Sequence, residues 1–365
     1  MDLFRFIYDS TTIAHSIMIV NLCRPSISNR QFINRSLLSL KATSFIVLLS
    51  SSSAVVRGAA AGAGFFSSTS IINNKSNKIQ QRMSFSNTSS NTSSTSTSST
   101  AKYSTFEVAQ FPCLDDNYGY LIHDPSTGDT AAIDTPDAKA YQKELTKRGW
   151  KLSHIFNTHH HWDHTGGNLE LKSQSQQVKI YGPKSEADKI PGIDVQLQPN
   201  DSIPFGTTHA KIIDVGGHTL GHIAYHFGDN ENHALFCGDA LFALGCGRMF
   251  EGTPPQFWNT LMRLRELPKE TDVFCGHEYT ANNAKFAMSV EPKNQLLVEY
   301  NQEIIEKRKR GEPTVPTTIG REVLTNPFLR GDVSAEIRRN VGATDGDGFD
   351  VVFGKIRKAK DTFRG

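Results

Sequence analysis

Neither a long hydrophobic segment nor a strong net charge is present in this sequence of 365 residues. The apolar patch SFIVLLSSSSAVV is shorter and richer in serine than a membrane span, which needs about 20 mostly apolar residues. A formal net charge of +2 indicates no preference for nucleic acid. The sequence therefore predicts a protein with no transmembrane helix and no nucleic-acid partner.

Cysteine is scarce, and the five cysteines include no C-x-x-C pair. An odd set without compact spacing does not fit the disulfide framework of small secreted domains. The G-x-S-x-G motif that presents a serine nucleophile is absent as well. We therefore expect reduced cysteines, an intracellular location and a reaction that uses no serine nucleophile.

Acidic residues are nearly absent from residues 1–102, which contain ten Lys and Arg residues but only Asp2 and Asp9. This composition predicts a transit peptide for the mitochondrial matrix, with a merely disordered extension as the alternative. Residues 84–100 are almost entirely Ser, Thr and Asn, which predicts a disordered linker. A start at Met83 would give a cytosolic form.

From residue 103 onward, short apolar runs alternate with Gly, Asp and Pro, a pattern that predicts a mixed α/β domain over residues 103–279. Its predicted strands extend from FEVAQFP to DVFCGH, and DAKAYQKELTKRG and PPQFWNTLMRLREL are predicted helices. No strand is predicted after Tyr279. The segments NQLLVEYNQEIIEKRKRG and FGKIRKAKDTF predict amphipathic helices, and thus a smaller helical domain over residues 280–365.

Histidine and aspartate are concentrated in THHHWDHTGG, directly after a predicted strand, and recur after later strands. Neutral imidazole and carboxylate groups are ligands that zinc, iron and manganese accept, so the pattern predicts a two-metal site. Each residue has a structural alternative when taken singly, such as a helix N-cap for Asp239. The candidate ligands are His159, His161, Asp163, His164, His218, Asp239 and His277, with His222 as a further histidine at the same strand end as His218.

The pattern T-H-x-H-x-D-H, with a later His, Asp and His at strand ends, resembles the metallo-β-lactamase superfamily. With GCGRMFEG, CGHEYT, NPFLR and RKAKD, the chain resembles the hydroxyacylglutathione hydrolase (glyoxalase II) family from about residue 104 to residue 365. The resemblance implies an α/β fold, an αββα sandwich followed by a smaller all-helical C-terminal domain. It also implies hydrolysis of the thioester S-D-lactoylglutathione to D-lactate and glutathione.

The same resemblance implies two divalent metal ions per chain, zinc being expected and iron or manganese being alternatives. Asp239 would bridge the ions, and Asp163 would also take a catalytic role by accepting a proton. The remaining ligands would divide into His159, His161 and His218 for one ion and Asp163, His164 and His277 for the other.

The substrate contacts implied by the resemblance are Arg248, Tyr279, Arg357 and Lys360. Arg357 and Lys360 lie three residues apart, hence on one helical face, although a solvated basic face is the alternative. The chain has Arg248 and Phe250 where many members have a Lys and a Tyr, and Phe250 has no hydroxyl for a hydrogen bond to the substrate. We expect a monomer whose partner is this small molecule.

Two other functions compete with the thioester hydrolase. A mononuclear iron persulfide dioxygenase of the same superfamily shares the H-x-H-x-D-H loop but lacks the long helical domain expected after residue 280. A non-catalytic metal-binding protein is disfavoured by the complete ligand set.

Overall fold

The computed structural model describes residues 98–228 and 232–365. The predicted transit peptide and most of the predicted linker lie outside these residues. In the described part of the chain, no helix is long and apolar enough to cross a membrane.

The first sheet contains seven strands within the described residues, arranged in chain order from β1 to β7. Neighbours from β1 to β4 are antiparallel, and those from β4 to β7 are parallel. The strands are β1 Ser99–Lys102, β2 Glu107–Cys113, β3 Asn117–His123, β4 Thr130–Ile133, β5 His154–Phe156, β6 Lys179–Pro183 and β7 Val195–Leu197.

A second sheet of six strands, counted over the same described ranges, has the order β15-β14-β11-β10-β9-β8. Its neighbours are antiparallel except for the parallel pair β11 and β14. A short hairpin, β12–β13, stands apart from both sheets. The strands are β8 Ser202–Phe205, β9 Thr208–Asp214, β10 Ile223–Gly228, β11 His233–Gly238, β12 Leu241–Phe242, β13 Gly245–Cys246, β14 Asp272–Cys275 and β15 Thr317–Thr318.

The two sheets pack face to face because successive strand residues alternate between two hydrophobic clusters. In β3, Ile122 belongs to the core between the sheets, whereas Leu121 faces the helices on the outer side of the first sheet. The ring of Phe156 from β5 stacks on Tyr225 from β10, with centroids 5.1 Å apart. The first sheet is therefore buried on both faces.

Helices cover the outer faces and form the C-terminal region. The first helix, α1, begins at the N-cap Asp137 and ends at Gly149, whose φ of 71° favours glycine. The helices are α1 Ala138–Arg148, α2 Trp162–Thr165, α3 Asn168–Ser173, α4 Pro254–Arg265, α5 Thr280–Val290, α6 Gln295–Lys309, α7 Ile319–Thr325, α8 Ala335–Asn340 and α9 Phe349–Thr362.

The predicted sandwich followed by a helical C-terminal region is confirmed, with two corrections. The linker was predicted over residues 84–100, whereas Ser99–Lys102 forms β1, because the edge of β2 supplies hydrogen-bond partners to this weakly hydrophobic segment. The C-terminal region is not purely helical, since Thr317–Thr318 pairs with β14 of the second sheet.

The buried carboxylate of Glu322 connects the C-terminal region to the β12–β13 hairpin. It accepts hydrogen bonds from the backbone N–H of Leu244 at 2.7 Å, from the Thr317 hydroxyl at 2.6 Å and from the Asn326 amide at 2.9 Å. Leu244 lies at the hairpin turn with a φ of 57°. Burial nevertheless raises the pKa of Glu322 to about 7.

The raised pKa makes the free energy of unfolding depend on pH. Between about pH 4.5 and pH 7 the unfolded carboxyl is ionised while the folded one keeps its proton, so rising pH favours unfolding by at most about 1.4 kcal/mol per pH unit. In Glu322→Gln, the free energy of unfolding should no longer decrease in this way as the pH rises. Denaturant unfolding across the window measures it, with the exposed Glu270→Gln as control; equal slopes in all three proteins would contradict the assignment.

Candidate metal centre

Asp134, at the end of β4, holds the histidine-rich loop that follows the neighbouring strand β5. Its carboxylate is buried and its φ is 52°, in the left-handed region. It accepts hydrogen bonds from the backbone N–H of Thr158 at 2.8 Å and from the Thr158 hydroxyl at 2.9 Å. It also lies 2.8 Å from Nδ1 of His164. One carboxylate thus fixes both ends of the loop.

Three histidine nitrogens converge at the edge where the two sheets meet. Nε2 of His159 lies 3.1 Å from Nδ1 of His161, which lies 3.0 Å from Nε2 of His218. Two nitrogens bound to one tetrahedral zinc ion are about 3.3 Å apart, because each Zn–N bond is about 2.0–2.1 Å long. The spacing therefore fits a single small cation.

Asp239 lies between these nitrogens and a second group of ligand atoms. Its Oδ2 is 3.5 Å from Nε2 of His218, and its Oδ1 is 3.4 Å from Nε2 of both His164 and His277. Oδ2 of Asp163 lies 3.4 Å from the same nitrogen of His277. The structure thus brings all seven predicted ligands together in two adjoining groups.

The centre has the properties expected of a divalent metal site. Nε2 of His164 and Oδ1 of Asp239 are buried without a hydrogen-bond partner among the described residues, a condition that costs about 1–3 kcal/mol per group. A side chain on Gly276 would lie 2.5 Å from that aspartate oxygen, so glycine preserves the space. Imidazole nitrogens and carboxylate oxygens with unused lone pairs fit a divalent cation.

Hydrogen bonds on the outer side orient the imidazole rings. Nδ1 of His277 lies 2.8 Å from Asp116, and Nδ1 of His218 lies 2.8 Å from the Arg248 carbonyl oxygen. With Asp134 at Nδ1 of His164, these acceptors leave each Nε2 directed into the centre. Such outer partners fix the tautomer of a metal-binding histidine.

The two groups differ in electrostatic character. Burial lowers the pKa of His159, of His161 and of His218, so these rings stay neutral, as a metal ligand requires. Burial would also lower the pKa of His277, but the nearby Asp239 carboxylate raises it to about 10. The carboxylates therefore attract positive charge to this side of the centre.

Two further histidines lie outside both groups. The ring of His222 stacks on His159 at 4.4 Å, and its Nε2 accepts a hydrogen bond from the backbone N–H of Asp239 at 3.2 Å. His160 instead turns toward Glu186, 2.8 Å from its Nδ1. Sequence reasoning missed the buried carboxylates that support the centre; the one available signal was an Asp directly after a predicted strand, as in TAAID.

Tyr279, one of the predicted substrate contacts, lies beside the centre, and Arg248 and Lys360 are two further predicted contacts. The ring of Tyr279 is parallel to His277 at 4.7 Å, and burial raises the pKa of its hydroxyl, which stays protonated. Arg248 is exposed, and Lys360 donates to the Asn282 carbonyl oxygen at 3.1 Å. Burial and the Arg357 guanidinium lower the pKa of Lys360 to about 8, so this ammonium would gain from an anion.

The prediction that Arg357 contacts the substrate disagrees with its burial. Arg357 is 4% exposed, and its guanidinium donates to the Cys246 carbonyl oxygen at 2.9 Å and to Asp361 at 3.2 Å. It also lies over the ring of Phe328, 4.9 Å from the centroid. The helix turns this residue into its apolar face, because Arg357 follows Phe353 by four positions.

The exposed Phe250 borders the centre, with its ring 5.7 Å from His161 and 5.2 Å from His218. It presents no hydrogen-bond donor there. The side chain next to the neutral histidine group is therefore apolar.

The fold and the paired histidine and aspartate groups define a member of the metallo-β-lactamase superfamily, whose family model matches residues 119–277. A second model, described as the hydroxyacylglutathione hydrolase C-terminus, matches residues 278–363. The chain belongs to the hydroxyacylglutathione hydrolase family.

Two bacterial hydroxyacylglutathione hydrolases support this membership. The chain is 52% identical over 257 residues to the hydroxyacylglutathione hydrolase of Hyphomonas neptunium, covering 70% of this chain and 98% of that protein. It is 50% identical over 257 residues to the enzyme of the same name from Erythrobacter litoralis, covering 70% and 99%. The crystal structure of ETHE1 from Myxococcus xanthus matches with a TM-score of 0.45 at 25% identity, covering 67% of this chain and 94% of that chain.

Proposed function

We propose that this protein hydrolyses S-D-lactoylglutathione and related S-2-hydroxyacylglutathiones, releasing the hydroxy acid and glutathione. The supporting observation is that Asp239 faces two groups of ligand atoms in a chain whose C-terminal region matches hydroxyacylglutathione hydrolases. Water adds to the thioester carbonyl carbon, the carbon–sulfur bond breaks, and the thiolate takes up a proton. The protein acts as a monomer with this small molecule as its partner.

The proposal includes two divalent ions per chain, with zinc expected and iron or manganese as alternatives. Bound cations would lower the pKa of water and withdraw charge from the carbonyl oxygen. Asp239 would be shared between the ions, and the other ligands would divide into His159, His161 and His218 for one ion and Asp163, His164 and His277 for the other.

Asp163 would accept the proton of the added hydroxide as the carbon–sulfur bond breaks. Burial alone would raise the pKa of Asp163, but the imidazoles of His277 and His164 keep it below its usual value, so the group is an anion. About a third of its side chain is exposed, which leaves it accessible to a substrate. The leaving thiolate needs little help, since thiols have a pKa of about 8.5.

The donors beside the centre would bind the tripeptide. Glutathione carries two carboxylates, and Arg248, whose charge acts on the Tyr279 hydroxyl, and Lys360 would supply cations for them. Phe250 would bound the site without donating a hydrogen bond. We assign Arg357 to holding the β13 backbone at Cys246. The proposal divides the chain into a catalytic region over residues 103–279 and a glutathione-binding region over residues 280–365.

The competing persulfide dioxygenase lacks the feature that favours the hydrolase. Helices α5 to α9 form a long C-terminal region. A region of this kind is expected in the thioester hydrolase and not in the persulfide dioxygenase. The matched hydroxyacylglutathione hydrolase C-terminus covers residues 278–363 of this region.

The reaction is tested by following the loss of thioester absorbance when the purified protein is mixed with S-D-lactoylglutathione. We expect turnover that stops when a chelator removes the metal and returns when zinc is added. Oxygen consumption with glutathione persulfide is measured on the same sample. Oxygen uptake without thioester loss would reverse the assignment.

Substitution of Lys360 should affect substrate binding, whereas substitution of Arg357 should affect stability. Lys360→Ala should raise KM for the glutathione thioester about tenfold or more while kcat falls less, because a charge-assisted hydrogen bond is worth about 1.5–3 kcal/mol and acts alike in ground and transition states. Arg357→Ala should instead lower the melting temperature.

Steady-state kinetics and thermal unfolding measure the two effects, with exposed Lys358→Ala on the same helix as the matched control. A small thioester without the tripeptide should be hydrolysed equally by the parent and Lys360→Ala. An equal loss on both substrates would show that Lys360 does not bind glutathione.

We also propose that residues 1–82 direct the protein to the mitochondrial matrix, with a shorter cytosolic form starting at Met83. This proposal depends on the sequence composition alone, and the bacterial relatives do not support it. A fluorescent protein fused to residues 1–82 should enter mitochondria. A diffuse signal would remove the transit-peptide interpretation.

A further inference from the structure

The buried carboxylate of Glu186 lies between two loops that carry histidines of the centre. Glu186 ends the 3-10 turn Lys184–Glu186 after β6 and is 2% exposed. Its Oε2 accepts a hydrogen bond from the backbone N–H of His160 at 2.9 Å and lies 2.8 Å from Nδ1 of the same residue. Its Oε1 accepts from the backbone N–H of Gly221 at 2.9 Å.

These contacts join loops that begin on different sheets. The loop of residues 157–161 follows β5 of the first sheet, and the loop of residues 215–222 precedes β10 of the second. A backbone hydrogen bond from Ile223 to Thr158 joins the loop bases at 2.9 Å. Glu186 joins the two loops a second time, at His160 and Gly221, each two residues from the base of its loop. The histidines of the first group lie in these two loops.

The chain is shaped to admit this carboxylate. A side chain on Gly221 would place its Cβ 2.7 Å from Cγ of Glu186, so the approach requires glycine. On the far side of His160, Oε1 of Glu251 lies 4.0 Å from Nε2. The other oxygen of Glu251 accepts from the backbone N–H of Leu220 at 2.8 Å. His160 is thus held between two carboxylates that bind the same neighbouring loop.

The two ligand groups are supported in different ways. In the second group, Asp134 and Asp116 bond directly to the rings of His164 and His277. In the first group, the outer nitrogen of His218 meets only a backbone carbonyl oxygen. The separation between the rings of the first group therefore depends more on where the loop backbones lie, which is what Glu186 fixes.

We propose that Glu186 is a positioning residue that sets the distance between His161 and His218, and hence the metal affinity of the group formed by His159, His161 and His218. The proposal rests on the two-ion site of the proposed function. Glu186 touches neither metal nor substrate. Removing a residue that is hydrogen-bonded to a metal ligand lowers metal affinity by about ten- to a hundredfold, and we expect an effect of the same order from Glu186.

The test measures zinc release from the zinc-loaded protein during titration with a competing chelator. In Glu186→Gln one of the two zinc equivalents should be bound about ten- to a hundredfold more weakly than in the parent, whereas the affinity for the other should be unchanged. The neutral amide keeps the size of the side chain but cannot accept from both partners. Exposed Glu270→Gln is the matched control and should behave as the parent.

A double-mutant comparison identifies the affected equivalent. In a His277→Ala background, which disrupts the second group, Glu186→Gln should still weaken the zinc that remains. In a His218→Ala background it should have no further effect. If Glu186→Gln does not fold, His160→Ala keeps the bond to Gly221 and should weaken the same equivalent to a smaller degree.

The outcomes separate the two proposals. If the parent binds fewer than two zinc ions, the two-ion site itself is wrong and this proposal falls with it. If the parent binds two and Glu186→Gln weakens both alike, or weakens neither while the melting temperature falls, Glu186 is a structural residue only. Selective weakening in the His218→Ala background would also overturn the proposal.

Discussion

The convergence of imidazole nitrogens and aspartate oxygens depends first on the carboxylate of Asp134. This buried group bonds to the backbone and hydroxyl of Thr158 at the start of the histidine-rich loop and to the ring of His164 near its end. Because β4 and β5 are parallel neighbours, their ends lie side by side, and one aspartate can hold the loop of the next strand. The backbone of Asp134 is left-handed, with a φ of 52°.

The apolar core of the sandwich offsets the unfavourable free energy of burying charged groups at the centre. Asp134 and Glu186 are nearly fully buried, and burying charge is unfavourable unless the oxygens find hydrogen-bond partners. The apolar core between the sheets, with rings such as Phe156 on Tyr225, supplies favourable free energy at a distance from the centre. The centre lies at the edge of this core, where backbone donors at strand ends can bond to the buried carboxylates.

Four of the seven ligands follow a single strand, so local spacing predicts them, whereas His218, Asp239 and His277 were indicated by later strand ends and the family resemblance. The supporting residues were not predicted. His159, His161 and His164 follow one strand within six positions, but Glu186 and Gly221 are 35 residues apart and meet only when the sheets pack. Periodicity did contain the signal that sequence analysis overlooked at Arg357, which follows the buried Phe353 by one helical turn. Periodicity could not predict the hydrogen-bond acceptor of Arg357, because the carbonyl oxygen of Cys246 lies 111 positions away in the sequence.

The C-terminal region supports the metal centre. Glu278 follows His277 directly and accepts hydrogen bonds from Tyr118 of the first sheet and from the Thr314 backbone at 3.0 Å. Arg308 of α6 also donates to it, at 3.2 Å. Because the residue next to His277 is held by the C-terminal segment on one side and by the first sheet on the other, the position of this histidine depends on both. The helices after residue 280 therefore complete the centre structurally, and a sandwich without them would leave the backbone beside His277 with fewer constraints.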